Sequence, residues 1–242
     1  MLTKLGFAKV PPLVGIDISS TTVKLLELSR KGVDYCVESY AVAPLPPEAV
    51  VEKNVNHTHL VAEVIRDLVG RSGTKARRAV AAVSGSAVIT KTIAMPAGLS
   101  EEDIEAQLIL EADQYIPYPL DEVAIDFETL GPISGQDNHL HVLLAACRQE
   151  TIESRVGALA IAGLTPVIID IEVFARERAM TLLSSQLPVG QHHAIGMVDI
   201  GALCSIIKEL LSSKRCRFLR FSNNENAFPV QTTKTSRCSN IC

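Results

Sequence analysis

The apolar positions fall into short runs whose period changes along the chain. Residues 13–18 are almost all aliphatic and residues 23–28 nearly so, which predicts a buried strand and its return partner on either side of a polar turn. Residues 33–42 alternate as a third strand, closed by Pro44, Pro46 and Pro47. Over residues 57–69 the period lengthens: Leu60, Val61, Val64, Ile65 and Leu68 share one helical face, and Gly70 and Gly73 stop it. Residues 79–83 and 88–93 read as two short strands around Ser84, Gly85 and Ser86. The next helix has Ser100 as its cap, Glu101, Glu102 and Asp103 at the positive end of its dipole, and Pro117 and Pro119 past its end. Residues 124–130 and 140–147 predict an antiparallel pair joined by the polar loop 134–138. A helix over 148–162 closed by Gly163, a strand over 166–170 and a helix over 172–186 follow. Residues 194–202 return to an apolar strand ending in Asp, Ile and small residues.

The first turn carries the most chemistry. Asp17 stands near the end of its strand, Ser19, Ser20, Thr21 and Thr22 follow, and Lys24 lies on the return strand. Hydroxyl residues in a tight turn offer N–H and O–H donors to phosphate oxygens. A carboxylate beside them suits hydrated magnesium, which takes oxygen ligands and keeps most of its waters. The same residues equally make an ordinary Ser/Thr hairpin with a capping Asp. Residues 194–202 repeat the scheme, and two such elements facing each other would clamp a nucleotide's phosphates and metal. That pairing resembles the actin-like ATPase superfold, with its two related phosphate loops in two domains. Ser84-Gly85-Ser86 lacks a following helix and Lys, so it reads as a turn.

At 242 residues and 47% hydrophobic, the chain can form one large domain or two ordinary ones. Apolar runs are broken well short of a membrane span, as by Asp170 and Glu172 within 167–175. The N-terminus has no signal-peptide pattern, and a cytoplasmic location is expected. Cys36 and Cys147 stand alone, and Cys204, Cys216, Cys238 and Cys242 crowd the end without a Cys-x-x-Cys pair, so no disulfide framework is expected. His57 with His59, and His139 with His141, lack the third ligand of a zinc site. Seven basic residues and two acidic ones lie from residue 203 onward in a chain of net charge −4, so the preceding body is strongly acidic. That body argues against nucleic-acid binding, which rests on neutralising phosphates.

Longer stretches are similar to one family. Residues 15–28 (GIDISSTTVKLLEL), 84–91 (SGSAVITK), 95–100 (MPAGLS) and 111–120 (EADQYIPYPL) resemble the PilM family of type IV pilus assembly proteins, relatives of the cell-division protein FtsA. The resemblance runs from about residue 13 to 202 and implies an α/β fold: the first domain of an actin-like ATPase of FtsA/PilM type, with an inserted α+β subdomain. Expected boundaries are 1–78 for the first part of the domain with phosphate loop 1 and 79–163 for the inserted unit. Residues 164–202 are expected to resume the first domain with phosphate loop 2, before a basic, Cys-rich, partly disordered tail over 203–242. The resemblance implies ATP and Mg2+ between two domains, and an extended cytoplasmic peptide of a PilN-type membrane protein docked on the first. It assigns Asp17, Ser19, Ser20, Thr21 and Lys24 to the first phosphate loop, Asp199 and Gly201 to the second, and Mg2+ to Asp17 and Asp199 through water. Glu172 falls where actin-like ATPases position the attacking water, although a helix ion pair with Arg176 is an equal reading. Peripheral location at the inner membrane follows through the partners.

The pattern departs from the family after Ala202, where Leu203-Cys204-Ser205 stands in place of two threonines and the adenosine-binding segment has no counterpart. The second domain is therefore expected to be largely missing, ATP binding weak and this chain not catalytically competent, with ATPase activity confined to the complete family protein. Two other functions stay open: an FtsA-like division scaffold, and an actin-fold ATPase or phosphotransferase, which would need a base in the second domain. The apolar and basic residues over 206–221 suit a membrane-binding amphipathic helix as a further reading, and residues 222–242 are expected to be disordered.

Overall fold

The computed structural model describes residues 11–32, 34–183, 194–200, 204–211, 215–222 and 233–236. The first elements in chain order are β1 (Leu13–Ile18), β2 (Thr22–Lys31), β3 (Asp34–Pro44), β4 (Val50–Val51), β5 (Asn54–Val55), α1 (Thr58–Ser72) and β6 (Arg78–Val83). Then come β7 (Val88–Pro96), α2 (Glu101–Glu111), β8 (Val123–Ile133), β9 (Gln136–Arg148), α3 (Gln149–Ile161), β10 (Thr165–Ile171) and α4 (Glu172–Leu183). The last are β11 (Ala194–Ile200), β12 (Cys204–Leu211), β13 (Arg215–Ser222) and β14 (Thr233–Ser236). They divide into two compact units, Met1–Val83 with Thr151–Glu172, and Ser84–Glu150 with Val173–Cys242.

The first unit is a five-stranded sheet in the order β10-β6-β1-β2-β3. β1, β2 and β3 form an antiparallel meander, while β6 runs parallel to both β1 and β10. Strict alternation in β1 sends Val14, Ile16 and Ile18 into the core and leaves Gly15 and Asp17 on the opposite face. The core closes with Val23 and Leu25 of β2, Val61, Ile65 and Leu68 of α1, and Ala158 and Leu159 of α3. Gly73 ends α1 in a left-handed conformation at φ 72°, where a side chain would be strained.

This arrangement moves two elements from where the sequence pattern put them. β6 was expected to open the inserted unit, yet it is an interior strand of this sheet, with Ala79, Ala81 and Val83 buried. Parallel strands need cover on both faces, and α3, also expected in the insert, supplies buried residues on one of them.

In the second unit β7, β9 and β8 form an antiparallel sheet with β9 in the middle. Ile104 and Leu108 of α2 bury against Ile93, Met95, Val142 and Leu144. Ser100 caps α2 in a full capping box with Asp103. Tyr115 packs against the sheet clusters. The strands β11 to β14 form a separate antiparallel sheet in sequence order. A membrane helix over 206–221 is thereby overturned: β12 and β13 pair from Cys204↔Ser222 to Leu210↔Cys216. The β-branched and aromatic residues there suit a pleated surface, and no clean helical face competes. Of the tail expected to be disordered, Ser222 ends β13, Thr233–Ser236 is a strand paired with β13, and the rest lies outside the described residues.

Candidate functional site

The first loop is a hairpin end built by its own hydroxyls. Ile18 pairs with Val23, and between them the Ser19 N–H and Oγ both donate to the Thr22 carbonyl at 2.9 Å. Ser19 Oγ also accepts the Thr22 N–H at 3.1 Å and lies 3.0 Å from Thr22 Oγ1. The Thr21 carbonyl accepts the Leu45 N–H at 2.8 Å, which ties the turn to the end of β3. Ser19 is thus a turn former, and Ser20 and Thr21 hold the tip, Thr21 exposed.

Asp17 and Lys24 sit directly opposite each other in the β1–β2 register, with Lys24 Nζ 3.1 Å from Asp17 Oδ2. Their side chains are half exposed, at 50% and 49%. An exposed pair of this kind is worth about 0–1 kcal/mol. Magnesium can therefore replace Lys24 at Asp17, and a phosphate can replace Asp17 at Lys24, at little cost. The donor set fits one side of a magnesium-bound phosphate.

Glu172 follows β10, and Asp17 is the penultimate residue of β1. Because both strands run parallel to β6, these residues share the carboxyl edge of the sheet, the edge at which open α/β sheets bind ligands. Glu172 Oε2 is 2.8 Å from Lys53 Nζ, and the two side chains are only 18% and 13% exposed. Lys53 belongs to the two-residue turn between β4 and β5, where Glu52 and Lys53 have φ of 49° and 67°. A tight hairpin needs left-handed backbone at both positions, usually from Gly or Asn, and each ordinary residue there costs about 1–2 kcal/mol.

Arg155 offsets that strain. Its side chain is 1% exposed, and its guanidinium donates to the carbonyls of Ala82 at 3.0 Å, Thr151 at 3.0 Å and Lys53. The strained turn is therefore held at the Lys53 carbonyl by α3 and at the Lys53 ammonium by Glu172. Neither Lys53 nor Arg155 was among the sequence candidates. For Arg155 a signal existed: it shares helical spacing with the buried Ala158, Leu159 and Ala162, so its stripe points inward.

Asp199 lies on β11, in the second unit. The register there repeats that of the first hairpin: Asp199 pairs with Ile206 and Ile200 with Ser205, as Asp17 pairs with Lys24 and Ile18 with Val23. Ile206 takes the place that Lys24 holds in the first copy. Gly201 lies outside the described residues. The structure thus gathers Asp17, Ser19, Ser20, Thr21 and Lys24 on one hairpin end, sets Glu172 on the same sheet edge, and carries Asp199 on a hairpin of like register.

Comparison with known proteins adds family and fold. The sequence model of the family described as type IV pilus assembly protein PilM matches residues 15–222, twenty residues beyond where the sequence pattern was expected to depart. Among solved structures, the chain is similar to one in the PilM-PilN type IV pilus biogenesis complex, at 29% identity and a TM-score of 0.71. That match covers 93% of this chain and 62% of the other, so this chain spans less than two thirds of its relative's length. A second similarity, at 10% identity and a TM-score of 0.50, is to the cytoplasmic domain of EpsL, an inner-membrane component of the type II secretion system of Vibrio cholerae. It covers 83% of this chain and 70% of that one, and shows the shared fold.

Proposed function

The chain belongs to the type IV pilus assembly protein PilM family, and from that premise we propose that it is a scaffold that docks the cytoplasmic peptide of a PilN-type inner-membrane protein. The observation that carries this reading is the match over residues 15–222, supported by the likeness to a chain of a PilM-PilN complex. No helix among the described residues is long and apolar enough to cross a membrane, so location at the inner membrane would come through the partner. The actin-like fold suggests nucleotide binding, and Asp17, Ser20, Thr21 and Lys24, with Asp199 on its own hairpin, are the residues that would hold ATP and Mg2+. Binding is weak in this reading, because Ile206 stands at the second register position where the first hairpin carries Lys24, and supplies no cation there. Bound Mg2+ would neutralise phosphate charge, and the hydroxyl turn would orient it. The pair of Glu172 with Lys53 favours a structural task for Glu172 over water positioning.

Co-expression with a PilN-type membrane protein tests the scaffold. The chain is expected to co-purify with the intact membrane protein and to be lost when its N-terminal cytoplasmic segment is deleted. Equal recovery with and without that segment would refute peptide docking.

A further inference from the structure

β3 is an edge strand of the first unit's sheet, and no strand among the described residues pairs with its free side. Four of its residues, Tyr35, Val37, Tyr40 and Val42, are exposed on the face away from the core, Val37 and Tyr40 at 63% and 61%. Leu26 and Leu28 of β2, opposite Tyr40 and Val37, widen this into an exposed apolar patch. Edge strands that stay unpaired are ordinarily blunted by Lys, by Pro or by being short. β3 is 11 residues long and holds no Lys, Arg or Pro between Asp34 and Ala43. Its irregularity is a bulge: Glu27 pairs with Ser39 and Leu28 with Val37, which leaves Glu38 extra. The four outer residues are therefore spaced two, three and two apart, a spacing that reads the same in both directions. We propose that β3 pairs antiparallel with β3 of a second copy of this chain, about a twofold axis between Glu38 and Ser39. Tyr35 then stands opposite the second copy's Val42, and Val37 opposite its Tyr40.

Symmetry argues for that occupant. A twofold interface must be self-complementary, so that each contact occurs twice with the roles exchanged. In this register outer residues meet outer residues and bulge meets bulge. All four outer pairs join Tyr to Val, an aromatic and β-branched combination that is favourable across strands. A bulge ordinarily guards an edge, because a strand of strict two-residue alternation loses its match there and its side chains change face. A second β3 carries the same bulge at the same place and keeps the match. Charge agrees: Asp34 falls opposite Ala43 and Glu38 opposite Ser39, so no like charges face each other, and Glu38 is already engaged by Ser29 and Lys31 of its own chain. An edge of this length is about 26 Å long and covers less than the about 800 Å² per copy of a permanent interface, so an equilibrium of monomer and dimer is expected. The proposal does not depend on the assignment of a PilN-type partner, and its failure leaves that assignment untouched.

The test is sedimentation equilibrium of the whole chain over a range of concentrations, with amide exchange at the two extremes. A monomer–dimer equilibrium is expected, in which the amides of β3 gain protection as the dimer forms. Val37→Lys with Tyr40→Lys sets Lys opposite Lys in the dimer, and Val37→Glu with Tyr40→Glu sets Glu opposite Glu; each double variant alone is expected to dimerise at least tenfold more weakly. An equimolar mixture of the two sets Lys opposite Glu and is expected to restore the dimer, with the same β3 amides protected. Ile168→Lys, exposed on β10 at the other edge of the sheet, is expected to leave dimerisation within about twofold. Circular dichroism checks that each variant is folded, and the exchange measurement on the unsubstituted chain needs no variant. A monomer at every concentration, protection elsewhere than β3, a mixture that stays monomeric, or an equal loss in the Ile168 variant overturns the proposal.

Discussion

Replacing Lys53 by Met removes the ammonium from Glu172 and leaves a carboxylate that is 18% exposed without that partner. At 2.8 Å and an effective dielectric near 20, the gross attraction is about 6 kcal/mol, most of it offset by the desolvation of both groups. Breaking a fully buried pair from one side costs about 3–5 kcal/mol. Here the residual exposure, and the place of Glu172 at the positive end of α4, lower the expected cost to about 2–3 kcal/mol. Glu172→Gln is expected to cost less, about 1–2 kcal/mol, because an amide still accepts from Lys53. The double variant is expected to be more stable than the sum of the two losses, with a coupling energy of at least about 1.5 kcal/mol. Urea unfolding of the four proteins at neutral pH measures this, and repeating it at high salt separates the shielded pair from a surface one. A coupling below about 0.5 kcal/mol would refute the claim that Glu172 holds the left-handed turn.

Arg155→Met is expected to lower stability by about 3–5 kcal/mol, since it removes charge-assisted bonds to the Ala82 and Lys53 carbonyls, and Arg155→Lys by less; urea midpoints measure both. Ser100→Ala breaks the α2 capping box and is expected to cost about 1 kcal/mol by thermal unfolding. Burial pushes the Glu128 carboxyl above 4.5, against the attraction of Arg178 and helped by the Asp126 charge. A raised native pKa means that the folded state binds the proton more tightly, so this stabilisation is full below the unfolded value and is lost as pH rises through the folded one. Glu128→Gln is accordingly expected to gain thermal stability over the unsubstituted protein as pH rises from below 4.5 to neutrality, and a constant difference would contradict it.

The β1–β2 hairpin and α2 were legible because local rules and packing agree there: alternation puts Val14, Ile16 and Ile18 on one face, and Ser100 with Asp103 writes its own helix start. The place of β6 was not legible, since its partners β1 and β10 are distant in sequence and a short apolar run carries no mark of which sheet it joins. The turn at Glu52 and Lys53 was hidden for another reason. It uses neither Gly nor Asn, and its left-handed backbone is imposed from outside by Arg155 and Glu172. In the candidate site, Asp17 and Lys24 could be picked by residue type, but their mutual pairing depends on strand register. In β12 and β13 basic and apolar residues are interspersed, which left a membrane helix open as a further reading, but they keep no clean helical period, and only their pairing assigns them as strands.

The most direct test of the account is a calorimetric titration of a PilN-type cytoplasmic peptide into this chain, with and without Mg-ATP. The account predicts saturable binding near one peptide per chain whose affinity Mg-ATP leaves essentially unchanged. No saturable heat from protein shown by circular dichroism to be folded, or binding only once Mg-ATP is present, would contradict it.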